Sequence, residues 1–360
     1  MEKQKNIPKL RFPEFKGEWE TKEIGEILTI GNGRDYKHLK YGNIPVFGTG
    51  GLMTKVDDYL YDGETVCIGR KGTIDKPIYF NGKIWTVDTL FYTYDYKLSS
   101  VKFIYNIFQR INWKNYNEAS GVPSLSKSTI EKIEITIPTL PEQTRIASFF
   151  TVLDKKIAEL KQKKNLLEQY KKGVMQKLFS QELRFKDGNG NEFPEWEKKK
   201  LGEVAFKISS NIAANTIEDN FGDYIIYGAS GILKRVDFFR EEEEYISIVK
   251  DGAGVGRVFL CAAKSSVLGT LDIIKPLGGN LYYLFYFLQQ TNFLKYVTGS
   301  TIPHIYFSDY KAEKILFPCF QEQTKIANFL SAIDEKINRT ENQIQKTQEW
   351  KKGLLQRMFV

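Results

Sequence analysis

The stretch that decides the fold is LPEQTRIASFFTVLDKKIAEL, Leu140 to Leu160, because it returns as FQEQTKIANFLSAIDEKINRT, Phe320 to Thr340. Gln143 falls on Gln323, an offset of 180 residues, and nine of the 16 positions from Glu142 to Ile157 are identical in the two copies. YKKGVMQKLF, from Tyr170, is carried by the same offset onto WKKGLLQRMF, from Trp350. Working outward, YGNIPVFGTGGLM from Tyr41 falls on FGDYIIYGASGIL from Phe221, with only Gly42, Gly48 and Gly51 retained as Gly222, Gly228 and Gly231. Glycines survive where a turn needs positive φ or close backbone approach, while the side chains around them drift. Gly72 meets Gly252, and Pro123 in SGVPSL meets Pro303 in GSTIPHI. LRFPEFKGEWETKEIGEI and FPEWEKKKLGEV also match, Trp19 with Trp196, at the slightly different offset of 177. The chain therefore reads A–B–A′–B′, a divergent globular unit and a similar helix, then both again.

Each B segment is expected to be one long helix. Ile146, Phe149, Leu153, Ile157, Leu160, Leu167, Tyr170, Val174 and Leu178 recur at three- or four-residue steps, as do Ile326, Phe329, Ile333, Ile337, Ile344, Trp350, Leu354 and Met358. Thr139 to Glu142 has capping-box spacing, with a proline in the first turn; the second copy has Cys319 in place of the threonine. Each rod has a narrow apolar face, and the other rod is the expected partner, antiparallel because the chain must return through a globular unit. The A segments read as mixed α/β, with strands at Glu64–Gly69 and Tyr245–Val249 and short helices at Val101–Ile111 and Asn280–Leu288. The predicted class is α+β, an internal repeat with pseudo-twofold character. Its divisions are a first domain over 1–140, a spacer helix over 141–181, a second domain over 182–316 and a second spacer helix over 317–360.

The composition allows such a protein and narrows its chemistry. Of 360 residues, 42% are hydrophobic and 27% charged, as in soluble globular chains. No apolar run is long enough to span a bilayer, and MEKQKNIPKLRF lacks the apolar core of a secretory signal, so a cytoplasmic location without membrane contact is expected. Cys67, Cys261 and Cys319 are scattered and read as reduced thiols, and with only His38 and His304 a His/Cys metal site has no material. The net charge of +8 suits a polyanionic partner such as nucleic acid.

Catalytic motifs are missing. There is no GxxxxGK[ST] phosphate loop and no Asn/Asp-Pro-Pro-aromatic tetrapeptide of the kind amino-methyltransferases carry. GAGVG, Gly252–Gly256, reads as a strand-to-strand turn, because its counterpart GTIDK keeps only the first glycine. EEEE, Glu241–Glu244, reads as a solvated turn rather than a metal site, and the lysines of KKIAELKQKKN as the wet side of a helix. No catalytic residue and no metal ligand are assigned.

Basic and small polar residues in the A-unit loops are the candidate DNA-binding set, because phosphates and base edges require these side-chain types. In the first unit they are Arg34, Lys37, Arg70, Lys71, Thr73, Lys76, Ser120, Ser124 and Ser126. Their counterparts are Ser210, Asn211, Lys234, Arg235, Lys250, Asp251, Arg257, Ser300, Thr301 and His304. Ile146, Phe149, Leu153, Ile157, Tyr170, Ile326, Phe329, Ile333, Ile337 and Trp350 are the candidates for helix pairing and partner docking.

With LRFPEFKGEWE, LPEQTRIASFF and LDKKI, KKGVMQKLF, FPEWEKKKLGEV, QEQTKIANFL and IDEKI, and KKGLLQRMF in view, the whole chain resembles the specificity (S) subunit of type I restriction-modification systems. The resemblance implies two target recognition domains, each reading half of a split, asymmetric sequence in double-stranded DNA. It implies paired helices that space the readers and dock two modification (methyltransferase) subunits, with restriction (translocase/nuclease) subunits completing the complex. S-adenosylmethionine, ATP and Mg2+ would serve adenine methylation, translocation and cleavage through those other subunits, in phage defence, with none bound directly by this chain. A self-contained methyltransferase or nuclease would need a catalytic constellation that the sequence lacks. A structural coiled-coil adaptor would not need the basic loops.

Overall fold

The computed structural model describes residues 6–217 and 222–360, so the first five residues and Phe221, which opens the second glycine-bearing stretch, lie outside the described residues. The chain divides into two compact units that cut across its linear order: residues up to Gln162 together with Glu341–Val360, and Lys163–Thr340. Both long helices are continuous, Leu140–Phe179 and Phe320–Met358, so each gives its first part to one unit and the remainder to the other. At 1.5 Å per residue each rod is roughly 60 Å long. Among the described residues no helix is long and apolar enough to cross a membrane.

In the first unit a six-stranded sheet runs in the order Thr29–Asn32, Leu90–Tyr94, Tyr61–Gly69, Ile78–Thr86, Tyr41–Gly48, Gly51–Val56. All pairings are antiparallel except Val46–Phe47 on Trp85–Thr86. A separate ribbon pairs Glu20–Glu23 with Glu134–Ile137. The second unit repeats the plan with one break. Where the first has the single strand Ile78–Thr86, the second has Val258–Cys261 and Ser265–Val267, and its sheet is split into four strands and three. Lys264, between them, holds φ at +53°, a left-handed conformation that a continuous strand does not accommodate.

Details of the hairpins confirm the duplication at backbone level. Gly51 and Gly231 turn at φ +109° and +105°. The pairing register slips between Val46 and Phe47 and again, at the equivalent place, between Ile226 and Tyr227; the first hairpin has a second slip between Tyr41 and Ile44. GAGVG lies in the connection from Tyr245–Val249 to its antiparallel neighbour Val258–Cys261, as the turn reading expects. The short helices span Val101–Arg110 and Leu281–Gln290, the second capped by the Asn280 side chain, which accepts from the N–H groups of Tyr282 and Tyr283.

Each core is closed by a helix pair of mixed origin. In the first unit Ile24, Phe103, Phe108, Trp113 and Phe150 are joined by Leu354, Leu355, Met358 and Phe359. In the second, Leu201, Tyr283, Leu284 and Tyr310 are joined by Met175 and Leu178 from one helix and Ile326, Leu330 and Ile333 from the other. Burying such a side chain contributes about 1.5–3 kcal/mol, so these helix segments are part of each core rather than appendages. Within the first unit Phe150 meets Phe359 and Asp154 meets Lys351, so the paired segments run antiparallel.

Three readings are corrected here. The Glu142 carboxylate does not complete a capping box with Thr139; Arg11 takes it in a two-pronged pair, Nε to Oε1 at 2.7 Å and Nη2 to Oε2 at 2.8 Å. Tyr170 and Trp350, assigned to the apolar stripes, are each 54% exposed, and only Trp350 keeps a ring contact, edge-on to Phe149 at 6.2 Å. Glu241 is buried rather than solvated, because Lys275 Nζ sits 2.5 Å from its carboxylate. Of the other stripe residues, Ile146, Leu153, Ile157, Ile326 and Ile333 are buried, and Phe149, Phe329 and Ile337 partly so.

Candidate nucleic-acid interface

Strand ends in the first unit place one group of candidate side chains together. Arg34 and Arg70 are both anchored on the connection after the Ile78–Thr86 strand: Arg34 N–H donates to Thr86 O at 2.8 Å and Arg70 N–H to Thr89 O at 2.8 Å. Trp85 Nε1 donates to Arg34 O at 2.9 Å, which fixes the loop from behind. On the far side, Leu125 N–H donates to Arg70 O at 2.8 Å and Gly72 N–H to Pro123 O at 2.8 Å, while Lys71 bridges to Ser124. The chain can fold back this tightly because Gly69 has no Cβ; one added there would lie 2.1 Å from Thr73 O. Arg34, Lys37, Arg70, Lys71, Lys76 and Ser120 are exposed, and Thr73 and Ser124 half-buried. Lys37 is tied locally instead, its N–H donating to Asp35 Oδ2 at 3.2 Å, and among the described residues neither Lys37 nor Lys76 hydrogen-bonds the Arg70 group.

Ser126 has a different occupation. Its Oγ accepts from Thr129 N–H as the cap of helix Lys127–Glu131 and donates to Glu118 Oε1 at 2.7 Å. Hydrogen bonds from Thr129 and Ser126 hold the Glu118 carboxyl below its usual range. The second unit treats Ser210 likewise: its Oγ donates to Val267 O at 2.6 Å and accepts from Ile212 N–H.

A matching group forms in the second unit on different side chains. Lys250 N–H donates to Thr270 O and Ile305 N–H to Lys250 O, both at 2.9 Å, and Gly252 N–H reaches Pro303 O at 2.9 Å. Asp251 bridges to His304, whose ring lies 3.2 Å from Ile302 O and edge-on to Tyr306 at 4.9 Å. Gly269 N–H donates to Ile212 O at 2.7 Å, which brings Ser210 and Asn211 to the same edge. Arg257 is exposed and donates from Nη1 to Ala229 O at 3.3 Å. Ser300 and Thr301 are exposed beside Ile302. Two lysines are turned inward: Lys250 Nζ is 3.3 Å from Asp272 Oδ1, and Lys234 Nζ donates to Ile217 O at 3.1 Å. Arg235 is exposed and donates to Asp223 O at 2.8 Å.

Sequence reasoning missed the joints at the start of each long helix. Arg184 grips Glu322 as Arg11 grips Glu142, with Nη2 to Oε2 at 2.8 Å. Next to each glutamate, a buried glutamine braces the corner. Gln143 Nε2 donates to Pro138 O and Leu98 O and its Oε1 accepts from Ser100 N–H; Gln323 Nε2 donates to Pro318 O and its Oε1 accepts from Asn280 N–H. The repeated tripeptide LRF, at Leu10–Phe12 and Leu183–Phe185, is the signal that would have found both arginines. Asp272, the partner of Lys250, was also missed.

Together these features define a class: a tandem-duplicated α+β scaffold that presents two differently furnished loop clusters and is closed by a shared helix pair. The chain belongs to the type I restriction modification DNA specificity domain family, whose model matches it twice, over residues 16–169 and 194–348. The type I restriction enzyme MjaVIII specificity subunit of Methanocaldococcus jannaschii is 25% identical over 336 residues, which cover 82% of this chain and 76% of that protein. A putative type I restriction enzyme specificity subunit of Haemophilus influenzae is 24% identical over 345 residues, covering 87% and 88%. The fold matches the crystal structure of a type I restriction-modification S subunit from M. genitalium with a TM-score of 0.70 and 16% identity, over 98% of this chain and 99% of that one.

Proposed function

We propose that the chain is the non-catalytic specificity subunit of a type I restriction-modification complex, reading a split, asymmetric sequence in double-stranded DNA with one loop cluster per half-site. The observation that carries this reading is the pairing of likeness and difference. The backbone frame around Arg70–Gly72 recurs around Lys250–Gly252 with equivalent hydrogen bonds, while Lys71 is replaced by Asp251 and Ser124 by His304. One scaffold with two sets of side chains is what two half-sites of different sequence require.

In this reading the target recognition domains are residues 1–140 and 182–316, and the helices 141–181 and 317–360 space them and dock two modification subunits. Restriction subunits join the same complex in the cytoplasm. S-adenosylmethionine, ATP and Mg2+ are used by those other subunits. The exposed rings of Tyr170 and Trp350, at equivalent positions on the two helices, are the docking candidates of the apolar stripe.

The test is an exchange of residues 10–140 for the corresponding unit of a relative, followed by mapping of methylated bases in a host genome. One half of the methylated motif should change and the other stay. A change in both halves would remove the independent-reader model, and methylation or cleavage by the purified chain alone would remove the non-catalytic one.

A further inference from the structure

Surface side chains that both copies keep are as informative as those that differ. Leu52 and Met53 are 59% and 55% exposed, and their equivalents Ile232 and Leu233 are 64% and 49% exposed. Val122 is 56% exposed and its equivalent Ile302 63%. Isolated apolar side chains on a surface are ordinary. These recur at matched positions, aliphatic for aliphatic, in units whose neighbouring polar residues have changed character.

Their placement is also shared. In each unit the loop of Arg70–Gly72 or Lys250–Gly252 lies between the two aliphatic sites. A Cβ built on Gly72 would meet Thr49 Oγ1 at 3.6 Å, so the hairpin turn leading to Leu52 lies against the Arg70–Thr73 loop. On the other side Gly72 N–H binds Pro123 O at 2.8 Å, beside Val122. In the second unit Arg257 Nη1 binds Ala229 O at 3.3 Å in the turn leading to Ile232, and Gly252 N–H binds Pro303 O at 2.9 Å, beside Ile302. The strand carrying each aliphatic pair is an edge strand and also bears an exposed cation, Lys55 or Arg235.

We infer that these six aliphatic side chains are a second, sequence-independent DNA-contact surface, three tips per unit that press on deoxyribose while the cations beside them, Arg70 and Lys71 in one unit and Arg257 in the other, take the phosphates. The cations at the same rim select a polyanion over an apolar protein surface as the occupant. Groove walls offer apolar sugar and base surface to aliphatic side chains, as groove-inserting proteins use. Such contacts release no counterions, so they add affinity without salt dependence, unlike those cations. Retention in both copies follows, because sugar edges are the same in every half-site. The inference rests on the DNA-reading function proposed above.

The experiment uses the full chain assembled with its modification subunits, carrying Leu52→Ser, Met53→Ser and Val122→Ser, or Ile232→Ser, Leu233→Ser and Ile302→Ser. Each change is also made singly, so that a misfolded triple variant does not end the test. Binding is measured to a duplex bearing the methylated motif and to a duplex of unrelated sequence, across a salt series. Each triple should weaken both duplexes by about tenfold, with the slope of affinity against salt and the assembly of subunits unchanged. Unchanged affinity in the folded variants would overturn the inference. So would loss of assembly, which would give the tips to a protein partner, and so would loss confined to the motif duplex, which would make them sequence readers. A wild-type complex that binds neither duplex would instead overturn the DNA-reading function itself.

Discussion

Lys351 Nζ lies 2.6 Å from Asp154 Oδ1, and 180 residues away in both partners Lys171 Nζ lies 2.7 Å from Asp334 Oδ1. Each pair joins the two helix segments of one unit, and both lysines are largely buried. Because the residues come from the repeated DKK/DEK and KKG sequences, the duplication writes the same register lock into each unit.

The locks are not of equal strength. Asp334 also accepts from Tyr286 Oη at 2.7 Å, whereas Lys351 rather than Asp154 makes the extra bond, to Gln109 Oε1 at 2.8 Å. Asp154→Asn should cost about 1 kcal/mol, a figure kept low because its side chain is 41% exposed. Asp334→Asn, which disturbs two charge-assisted bonds, should cost about 2 kcal/mol. Urea unfolding of the two variants tests the order; equal costs would show that Tyr286 contributes nothing.

The corner glutamates should be more sensitive. Glu142 and Glu322 are buried, and each carries a two-pronged arginine. Glu322 also accepts from Trp196 Nε1 at 2.8 Å, while the buried Nε1 of Trp19 has no hydrogen-bond partner among the described residues. Replacing one member of such a buried pair costs about 3–5 kcal/mol. Glu322→Gln is expected near the top of that range and Glu142→Gln near the bottom, with denaturant midpoints as the readout.

Helix length should set the gap between half-sites. The long helices pass from one unit to the other at Gln162–Lys163 and Thr340–Glu341. Inserting about four residues, roughly one turn, at Lys163 and again at Thr340 should lengthen the unread spacer in the methylated motif while leaving both half-site sequences intact. Sequencing of modified bases gives the answer, and an unchanged spacer would remove the ruler role.

Thiol chemistry provides a test of the cores. Burial pushes Cys67 up to about 12, and burial likewise pushes Cys261 up to about 12 against the lowering effect of its hydrogen bonds with Ser247 and Tyr245. At about pH 8 both therefore stay protonated as well as enclosed, and a soluble thiol reagent should label Cys319, the partly exposed one, while sparing them. Rapid labelling of all three in the native chain would contradict the packing of both sheets.

The duplication, the helices and the short strands were legible because each is local: identity at a fixed offset, a three- or four-residue apolar step, or a β-branched run between glycines. Side-chain partnerships were not, because Arg11 and Glu142 are 131 positions apart. Glu142 looked like a helix cap for that reason. Loop chemistry was half legible. Arg70 and Lys71 are where basic residues in a turn were expected, but nothing local distinguishes Ser126, which caps a helix, from Ser120, which is exposed. Nor could the sequence reveal that Lys250 spends its charge on Asp272, since that contact depends on which strands lie side by side. Tyr170 and Trp350 kept the apolar rhythm and still face solvent, because periodicity marks a face without saying what covers it.

Phe359, stacked on Phe103 at 5.3 Å and edge-on to Trp19 at 6.0 Å, sits in the core of the unit that begins the chain. A ribosome making this protein therefore releases the segments in an order opposite to their completion. Every residue of the unit from Lys163 to Thr340 has been made before Leu354, Leu355, Met358 and Phe359 emerge to fill the earlier one. The unit written first is finished last, and until then the seam that Leu354, Leu355, Met358 and Phe359 fill is open.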